Sequence, residues 1–144
     1  MVTSAYFDTS VLVKNYVQEE GSARARELLR TYTFLSSSIT PVELMSALMR
    51  RKSRRELKAD DMPGILARIR DDRPYWKLVD IGIPVLSRAE ELIQNTRLRT
   101  LDSIHIASLA TFQAAAGIRI PFITSDGRQR HAAAQMGLEV VWVG

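Results

Sequence analysis

Four acidic residues of this 144-residue chain occur where carboxylates from separate elements could act together. Asp8 and Asp126 each directly follow a short apolar run, whereas Glu43 and Asp102 each fall in the first turn of an apolar helical pattern. Carboxylates that converge on one point can hold Mg²⁺ or Mn²⁺, because both ions prefer oxygen ligands. Such an ion lowers the pKa of a bound water, so the chemistry on offer is hydrolysis of a phosphodiester.

Half of the 16 acids have a different character, because they occur as adjacent pairs. Paired acids of this kind are typical of a solvated surface. These pairs are Glu19 with Glu20, Asp60 with Asp61, Asp71 with Asp72 and Glu90 with Glu91.

Each of the four separate acids also has an ordinary structural explanation. Glu43 would complete a capping box with Thr40, and Asp102 would favour its helix start through the macrodipole. Asp8 and Asp126 would be helix N-caps. Two carboxylates about 4 Å apart repel by roughly 4 kcal/mol at an effective dielectric constant of 20. A converged set is therefore unstable without a metal ion or protons, and the four acids together favour a metal site.

The elements that must position these acids alternate between strands and helices. Parallel strands need crossover helices, so the pattern predicts an α/β fold with a central, mainly parallel sheet of four to five strands. In such a sheet ligands bind at the carboxyl ends of the strands, where Asp8 and Asp126 would lie. The expected strands are 5–7, 33–37, 76–81, 120–125 and 139–143, and the longest helix is expected from Leu101 to about Ala116.

Composition excludes several classes of site. The chain has no cysteine, which excludes disulfides, thiolate zinc sites, iron–sulfur clusters and cysteine nucleophiles and is compatible with the cytosol. No apolar run approaches the roughly 20 residues that span a bilayer, and residues 1–10 lack the features of a signal peptide. We therefore expect one cytoplasmic domain over residues 1–144, with no membrane attachment.

The basic residues make nucleic acid a plausible partner. Lysine and arginine number 20 against 16 acids, and only Lys14, Lys52, Lys58 and Lys77 are lysines. Arginine suits phosphate binding, although a GC-rich genome would also favour arginine. Basic residues at the end of the Glu43 helix would either follow an RNA backbone or stabilise the helix end. The candidates are Arg50, Arg51 and Arg54, while Arg97 and Arg99 are better placed beside Asp102.

Four stretches of the chain resemble the motifs of PIN-domain ribonucleases, and the best match is the VapC-like toxin of bacterial and archaeal toxin–antitoxin pairs. The resemblance covers the whole chain, and the four motifs follow one another in the same order as in that family. The stretches are Asp8-Thr9-Ser10-Val11-Leu12-Val13-Lys14, Thr40-Pro41-Val42-Glu43-Leu44, Leu98-Arg99-Thr100-Leu101-Asp102-Ser103-Ile104-His105-Ile106-Ala107 and Thr124-Ser125-Asp126.

The resemblance implies a single PIN domain with a three-layer fold and a metal-dependent endoribonuclease activity. Asp8 and Asp102 would be the most direct ligands of Mg²⁺ or Mn²⁺. Glu43 and Asp126 would bind a second ion or hold its waters. Whether one or two ions bind stays open, because Gly127 follows Asp126 where many relatives have a further polar or acidic residue.

The resemblance also implies supporting residues and partners. Hydroxyls that orient the carboxylates would come from Thr9, Thr124 and Ser125. His105, one turn after Asp102, would be a hydrogen-bonded neighbour and not a general base. The implied partners are an RNA substrate, a cognate antitoxin protein and a second copy of the chain.

Two other functions are compatible with parts of the pattern. A catalytically inactive PIN-like or receiver-like module that binds proteins would share the fold, but it would not need all four acids. A phosphatase with Asp8 as its nucleophile would usually carry an aspartate two residues on, where this chain has Ser10. The seven glycines form no phosphate-binding loop, which disfavours nucleotide hydrolysis.

Overall fold

A five-stranded sheet forms the centre of the molecule, as the computed structural model of residues 3–144 shows. The strand order is β3-β2-β1-β4-β5, and all four neighbouring pairs are parallel. This arrangement confirms the expected α/β fold and its parallel sheet. The strands are β1 (Ser4–Phe7), β2 (Thr33–Ser37), β3 (Lys77–Val79), β4 (Phe122–Thr124) and β5 (Val140–Trp142).

Seven α-helices provide the crossovers that parallel strands require. Two single turns of 3₁₀-helix, Ala59–Asp61 and Arg73–Tyr75, flank the fourth helix. The helices are α1 (Thr9–Tyr16), α2 (Ser22–Thr31), α3 (Thr40–Ser53), α4 (Met62–Asp72), α5 (Ile83–Asn95), α6 (Thr100–Ala116) and α7 (Gly127–Gln135). None of the helices between residues 3 and 144 combines the length and the apolar character needed to cross a bilayer.

The helices pack in two layers because the strands are apolar on both faces. Phe7 and Ile123 pack in one core with residues of α1, α2, α3 and α4. Tyr6 and Phe122 point to the opposite face and pack with residues of α5, α6 and α7. Successive strand residues alternate between faces, so the neighbours in each strand belong to different cores. The result is the expected three-layer structure.

Element ends differ from the sequence-based expectations where tertiary contacts decide them. Gly117 ends α6 with a φ of 69°, as a C-terminal glycine is expected to do. The edge strand β3 is shorter than the predicted 76–81, and β4 and β5 are also shorter than predicted. The predicted N-cap role of Thr40 is wrong, since Ile39 precedes the first helical residue and Thr40 is buried with its hydroxyl 2.6 Å from Ser36 Oγ.

The topology brings distant parts of the chain to one edge of the sheet. Strands β1 and β4 are direct neighbours, with Phe7 opposite Ile123. Asp8 and the segment 124–126 therefore leave the sheet side by side. Helix α3 follows the neighbouring strand β2, so Glu43 enters from the other side of β1. A site at the carboxyl ends of the central strands follows from this order.

Candidate active site

An acidic cleft of about 370 Å³ opens at the carboxyl ends of the central strands. All four of the separate acids line it: Asp8, Glu43, Asp102 and Asp126. Their carboxylates come from the β1–α1 junction, α3, the first turn of α6 and the β4–α7 junction. The rest of the lining is mainly polar and includes Thr9, Ser10, Lys14, Glu19, Arg50, Arg51 and Ser125.

Asp8 is buried and serves both as a helix cap and as a wall of the cleft. Its Oδ2 accepts a hydrogen bond from the backbone N–H of Ser10 at 3.0 Å, which makes Asp8 the N-cap of α1. Its Oδ1 accepts from Gln129 Nε2 at 3.0 Å. The capping explanation of Asp8 is therefore correct, and it leaves the second oxygen facing other polar groups.

Asp102 has one carboxylate oxygen that makes no hydrogen bond. Oδ1 lies 3.3 Å from Gln129 Nε2, whereas the buried Oδ2 has no hydrogen-bond partner among residues 3–144. Arg99 Nε lies 4.0 Å from Oδ2 and belongs to an exposed side chain. Burial raises the pKa of Asp102 to about 6, and the charges of Asp126 and Asp8 add to this effect. Both burial and the neighbouring negative charges disfavour the ionised form of the carboxyl group.

Glu43 is held by hydrogen bonds from two side chains and does not form the expected capping box. Its Oε1 accepts from Thr9 Oγ1 at 2.8 Å and lies 2.5 Å from His105 Nε2. The other partner of the expected box, Thr40, bonds to Ser36 instead. The prediction that Glu43 merely completes a capping box with Thr40 is therefore wrong, and the Glu43 carboxylate belongs to the cleft.

His105 is a buried hydrogen-bonded neighbour of the acids. Nδ1 lies 2.9 Å from the Tyr6 hydroxyl, and Nε2 lies between Glu43 and Asp8 Oδ1, which is 3.6 Å away. Burial alone lowers the pKa of His105, but the charge of Asp8 and the hydrogen bond and charge of Glu43 outweigh burial, so the pKa is raised. A protonated ring offsets part of the negative charge of the cleft.

Asp126 caps α7 as well as lining the cleft. Its Oδ1 accepts from the backbone N–H groups of Arg128 and Gln129 at 2.9 and 3.0 Å. Of the hydroxyls expected to orient carboxylates, Thr9 contacts Glu43 directly, while Thr124 contacts the backbone of Asp126 and the side chain of Gln129. Ser125 Oγ is buried without a hydrogen-bond partner among residues 3–144, and its role stays a prediction.

Gln129 and Glu19 belong to the site but were not identified from the sequence. Gln129 is fully buried between Asp8 and Asp102. It lies three residues after the N-cap of α7, and the local sequence does not indicate that a polar side chain is buried there. Glu19 lines the cleft and pairs with Lys14 and Arg51 at 3.3 and 2.6 Å. Its pairing with Glu20 in the sequence suggested a surface position.

The candidate RNA-binding arginines fall into different places. Arg50 and Arg51 line the acidic cleft, and Arg54 lies exposed beyond the C-terminus of α3 and outside the cleft lining. Arg99 is exposed beside Asp102. Arg97 lines a second cavity of about 710 Å³ together with Arg128 and His131 of α7. Arg97 and Arg128 form no ion pair with the residues that the structure describes.

The donor set of the cleft fits a hard divalent cation. All four acids offer carboxylate oxygens, which Mg²⁺ and Mn²⁺ prefer, and the buried Asp102 Oδ2 has no hydrogen-bond partner in the described part of the chain. Within residues 3–144 no three His, Asp or Glu side chains already stand close enough to share one ion. Ligation by three or more of these groups therefore requires side-chain movement.

The raised pKa values predict that the metal-free protein is more stable at pH 5 than at pH 7. The Asp102 carboxylate holds its proton more tightly in the folded chain, so its penalty on folding disappears as the pH falls from about 6 toward 4. His105 acts in the same direction, because a raised pKa stabilises the fold below about 6.5 and this gain is lost at higher pH.

We expect a gain in the free energy of unfolding of about 1–2 kcal/mol at pH 5, allowing for solvent screening. Urea denaturation in EDTA at both pH values measures it. Equal or lower stability at pH 5 would contradict the raised pKa values of Asp102 and His105.

The family model described as PIN domain matches residues 5–135. No curated protein matches the chain. A toxin–antitoxin complex from Klebsiella pneumoniae is similar at 20% identity, 88% coverage of this chain, 89% coverage of that chain and a TM-score of 0.64.

A second similar structure is VapBC2 from Rickettsia felis bound to a DNA fragment from its promoter. It is 13% identical, with 99% of this chain and 100% of that chain covered and a TM-score of 0.65. At these identities the two structures show a shared fold.

Proposed function

The chain belongs to the PIN domain family, and we propose that it is a metal-dependent endoribonuclease that acts as the toxin of a toxin–antitoxin pair. One observation carries this proposal: four carboxylates from four separate elements line one cleft, and a buried oxygen of one of them has no hydrogen-bond partner among residues 3–144. A protein-binding module has no need for this arrangement, because carboxylates placed close to one another destabilise a fold.

The proposed cofactor is Mg²⁺ or Mn²⁺. Asp8 and Asp102 would bind it directly, with Glu43 and Asp126 as further ligands or as partners of its waters. When bound, the cation supplies Lewis-acid polarisation of a phosphodiester and a water of lowered pKa. Thr9 holds Glu43 through its hydroxyl, and we assign Thr124 and Ser125 to the same orienting role, Thr124 through its contact with Gln129.

The cationic residues around the cleft would hold the polyanionic substrate against the repulsion of the acids. Arg50 is exposed and lines the cleft, Arg99 is exposed beside Asp102, and Arg97 lines the second cavity together with Arg128. Arg51 is partly engaged by Glu19, so its contribution would require that ion pair to open. We assign these arginines, and the more distant Arg54, to the RNA backbone.

The partners follow from the family and its neighbours. Both similar solved structures are toxin–antitoxin complexes, which supports a cognate antitoxin as the inhibitor. Val42, Met45 and Met49 are exposed along one side of α3 and support pairing with a second copy. We propose a cytoplasmic protein in which residues 1–144 form one domain; residues 1 and 2 lie outside the described part.

Cleavage of RNA in the presence and absence of metal tests the proposal. Purified protein should cut a mixture of structured RNAs with Mn²⁺ or Mg²⁺, and EDTA should stop cleavage while circular dichroism shows a folded chain. A DNA of matched sequence reveals whether the 2′-hydroxyl contributes, since metal-assisted attack on phosphate does not require it. Metal-independent cleavage, or no cleavage of any RNA by folded protein, would refute the proposal.

A further inference from the structure

Gln129 is the polar centre of an otherwise apolar inner face of α7. It is fully buried, as are Ala132 and Ala133, which are three and four residues further along the helix. A buried amide destabilises the fold unless its donors and acceptor are hydrogen-bonded. The hydrogen-bond partners of Gln129 therefore indicate the role of this side chain.

The amide of Gln129 joins two candidate metal ligands. Its Nε2 lies 3.0 Å from Asp8 Oδ1 and 3.3 Å from Asp102 Oδ1. An amide nitrogen carries two N–H groups, so each carboxylate receives one of them. Because Asp8 Oδ1 and Asp102 Oδ1 share one donor atom, the position of that atom limits the distance between them.

Thr124 fixes which end of the amide faces the acids. The backbone N–H of Asp126 donates to Thr124 Oγ1 at 3.0 Å, and Thr124 Oγ1 donates to Gln129 Oε1 at 2.7 Å. Ionised carboxylates can only accept hydrogen bonds, so the NH₂ group faces Asp8 and Asp102 and the amide oxygen accepts from the Thr124 hydroxyl. The hydrogen bonds at both ends of the amide agree on this orientation.

We propose that Gln129 is a positioning residue that holds Asp8 and Asp102 at the separation and orientation in which both bind one divalent cation. This inference rests on the proposed function. The amide is neutral, so it fixes the carboxylates without replacing the charge of the cation, as a lysine at this position would. It also engages only Oδ1 of Asp102 and leaves Oδ2 without a partner.

Calorimetric titration of metal-free protein with Mn²⁺ tests this role directly. In Gln129→Met the length of the side chain is kept and both N–H donors are lost. We expect the dissociation constant for Mn²⁺ to rise roughly 10–100-fold, the usual effect of removing a group that orients metal ligands. The Mn²⁺ concentration that gives half-maximal RNA cleavage should rise with it.

Gln113→Met is the matched control. Gln113 is a half-buried amide of α6 whose Oε1 accepts from the backbone N–H of Ile120 at 3.0 Å, and it does not line the acidic cleft. This variant also loses a side-chain hydrogen bond and should lose stability, but its Mn²⁺ affinity should equal that of the wild type. If Gln129→Met binds Mn²⁺ as tightly as Gln113→Met does, the inference is overturned.

Thr124→Val provides a second test that keeps Gln129 in place. Loss of the Thr124 hydroxyl frees the amide to rotate, so Mn²⁺ affinity should fall in the wild-type background and fall no further in Gln129→Met. Additive losses would overturn the inference. Should Gln129→Met fail to fold, Thr124→Val alone decides, and an unchanged Mn²⁺ affinity in that variant counts against the inference.

The same experiment separates this inference from the proposed function. If the wild type neither binds Mn²⁺ nor cleaves RNA, the proposed function fails and the role of Gln129 fails with it. If the wild type binds Mn²⁺ and cleaves RNA while Gln129→Met binds Mn²⁺ equally well, only the role of Gln129 fails.

Discussion

RNA cleavage is expected to fall by more than about 100-fold when Asp8 or Asp102 is replaced by asparagine, because even residues that only orient metal ligands usually change activity 10–100-fold. Each change keeps the shape of the side chain and removes the charge that would bind the cation. Asparagine is also a good N-cap, so Asp8→Asn should keep α1 intact. Initial rates of cleavage at saturating Mn²⁺ measure the effect.

Asp102→Asn should at the same time make the metal-free protein more stable. The carboxylate is held among other acids and its pKa is raised to about 6, so its ionised form destabilises the fold at neutral pH. Its removal should raise the free energy of unfolding by about 1–2 kcal/mol at pH 7 in EDTA. A variant that is inactive and yet more stable separates loss of chemistry from loss of structure.

Glu90→Gln serves as the control for both measurements. Glu90 is exposed on α5, away from the cleft, and the change removes the same charge. Its cleavage rate and stability should match those of the wild type. Wild-type cleavage by Asp8→Asn or Asp102→Asn would rule out the proposed metal ligands.

The second large effect is a loss of stability, which we expect in the variant His105→Leu. Leucine fills similar volume but removes the hydrogen bond between the buried Tyr6 hydroxyl and His105, and it removes the donor that Glu43 and Asp8 face. Removal of one partner from a buried polar network typically costs several kcal/mol. We expect the free energy of unfolding to fall by about 3 kcal/mol in urea denaturation at pH 7 without metal.

Tyr6→Phe shows whether this loss of stability comes from the broken contact between His105 and the Tyr6 hydroxyl. Alone, Tyr6→Phe removes a hydrogen bond to His105 and should destabilise the protein. In the His105→Leu background it removes a hydroxyl that has already lost its contact with His105, so its cost should be smaller. Equal costs in the two backgrounds would mean that the Tyr6–His105 contact contributes nothing to stability.

The fold could be predicted from the sequence because local signals agree with it. Apolar runs on both strand faces and alternating helical segments indicate a parallel sheet, and the position of Asp8 and Asp126 just after two such runs places them at one edge. These are consequences of chain order and periodicity alone. The outer strands were predicted too long because pairing, not hydrophobicity, decides where a strand ends.

The arrangement within the cleft could not be predicted, because it depends on competition between partners that are distant in the chain. Thr40 has the sequence signature of a helix cap, yet its hydroxyl bonds to Ser36 and Glu43 bonds to Thr9 and His105. Gln129 gives no local sign that it meets Asp8, which lies 121 positions earlier. Periodicity identifies which face of a helix is buried, but not which polar group it meets there.

The order of the strands in the sheet also bears on how synthesis of this chain would proceed on the ribosome. Asp8 is made almost first, whereas β4, Asp126 and Gln129 are made near the end, and β4 pairs directly with β1. A nascent chain that stops before residue 122 has no neighbour on that side of β1 and lacks a wall of the cleft. A growing polypeptide therefore lacks the complete acidic cleft until translation has almost finished.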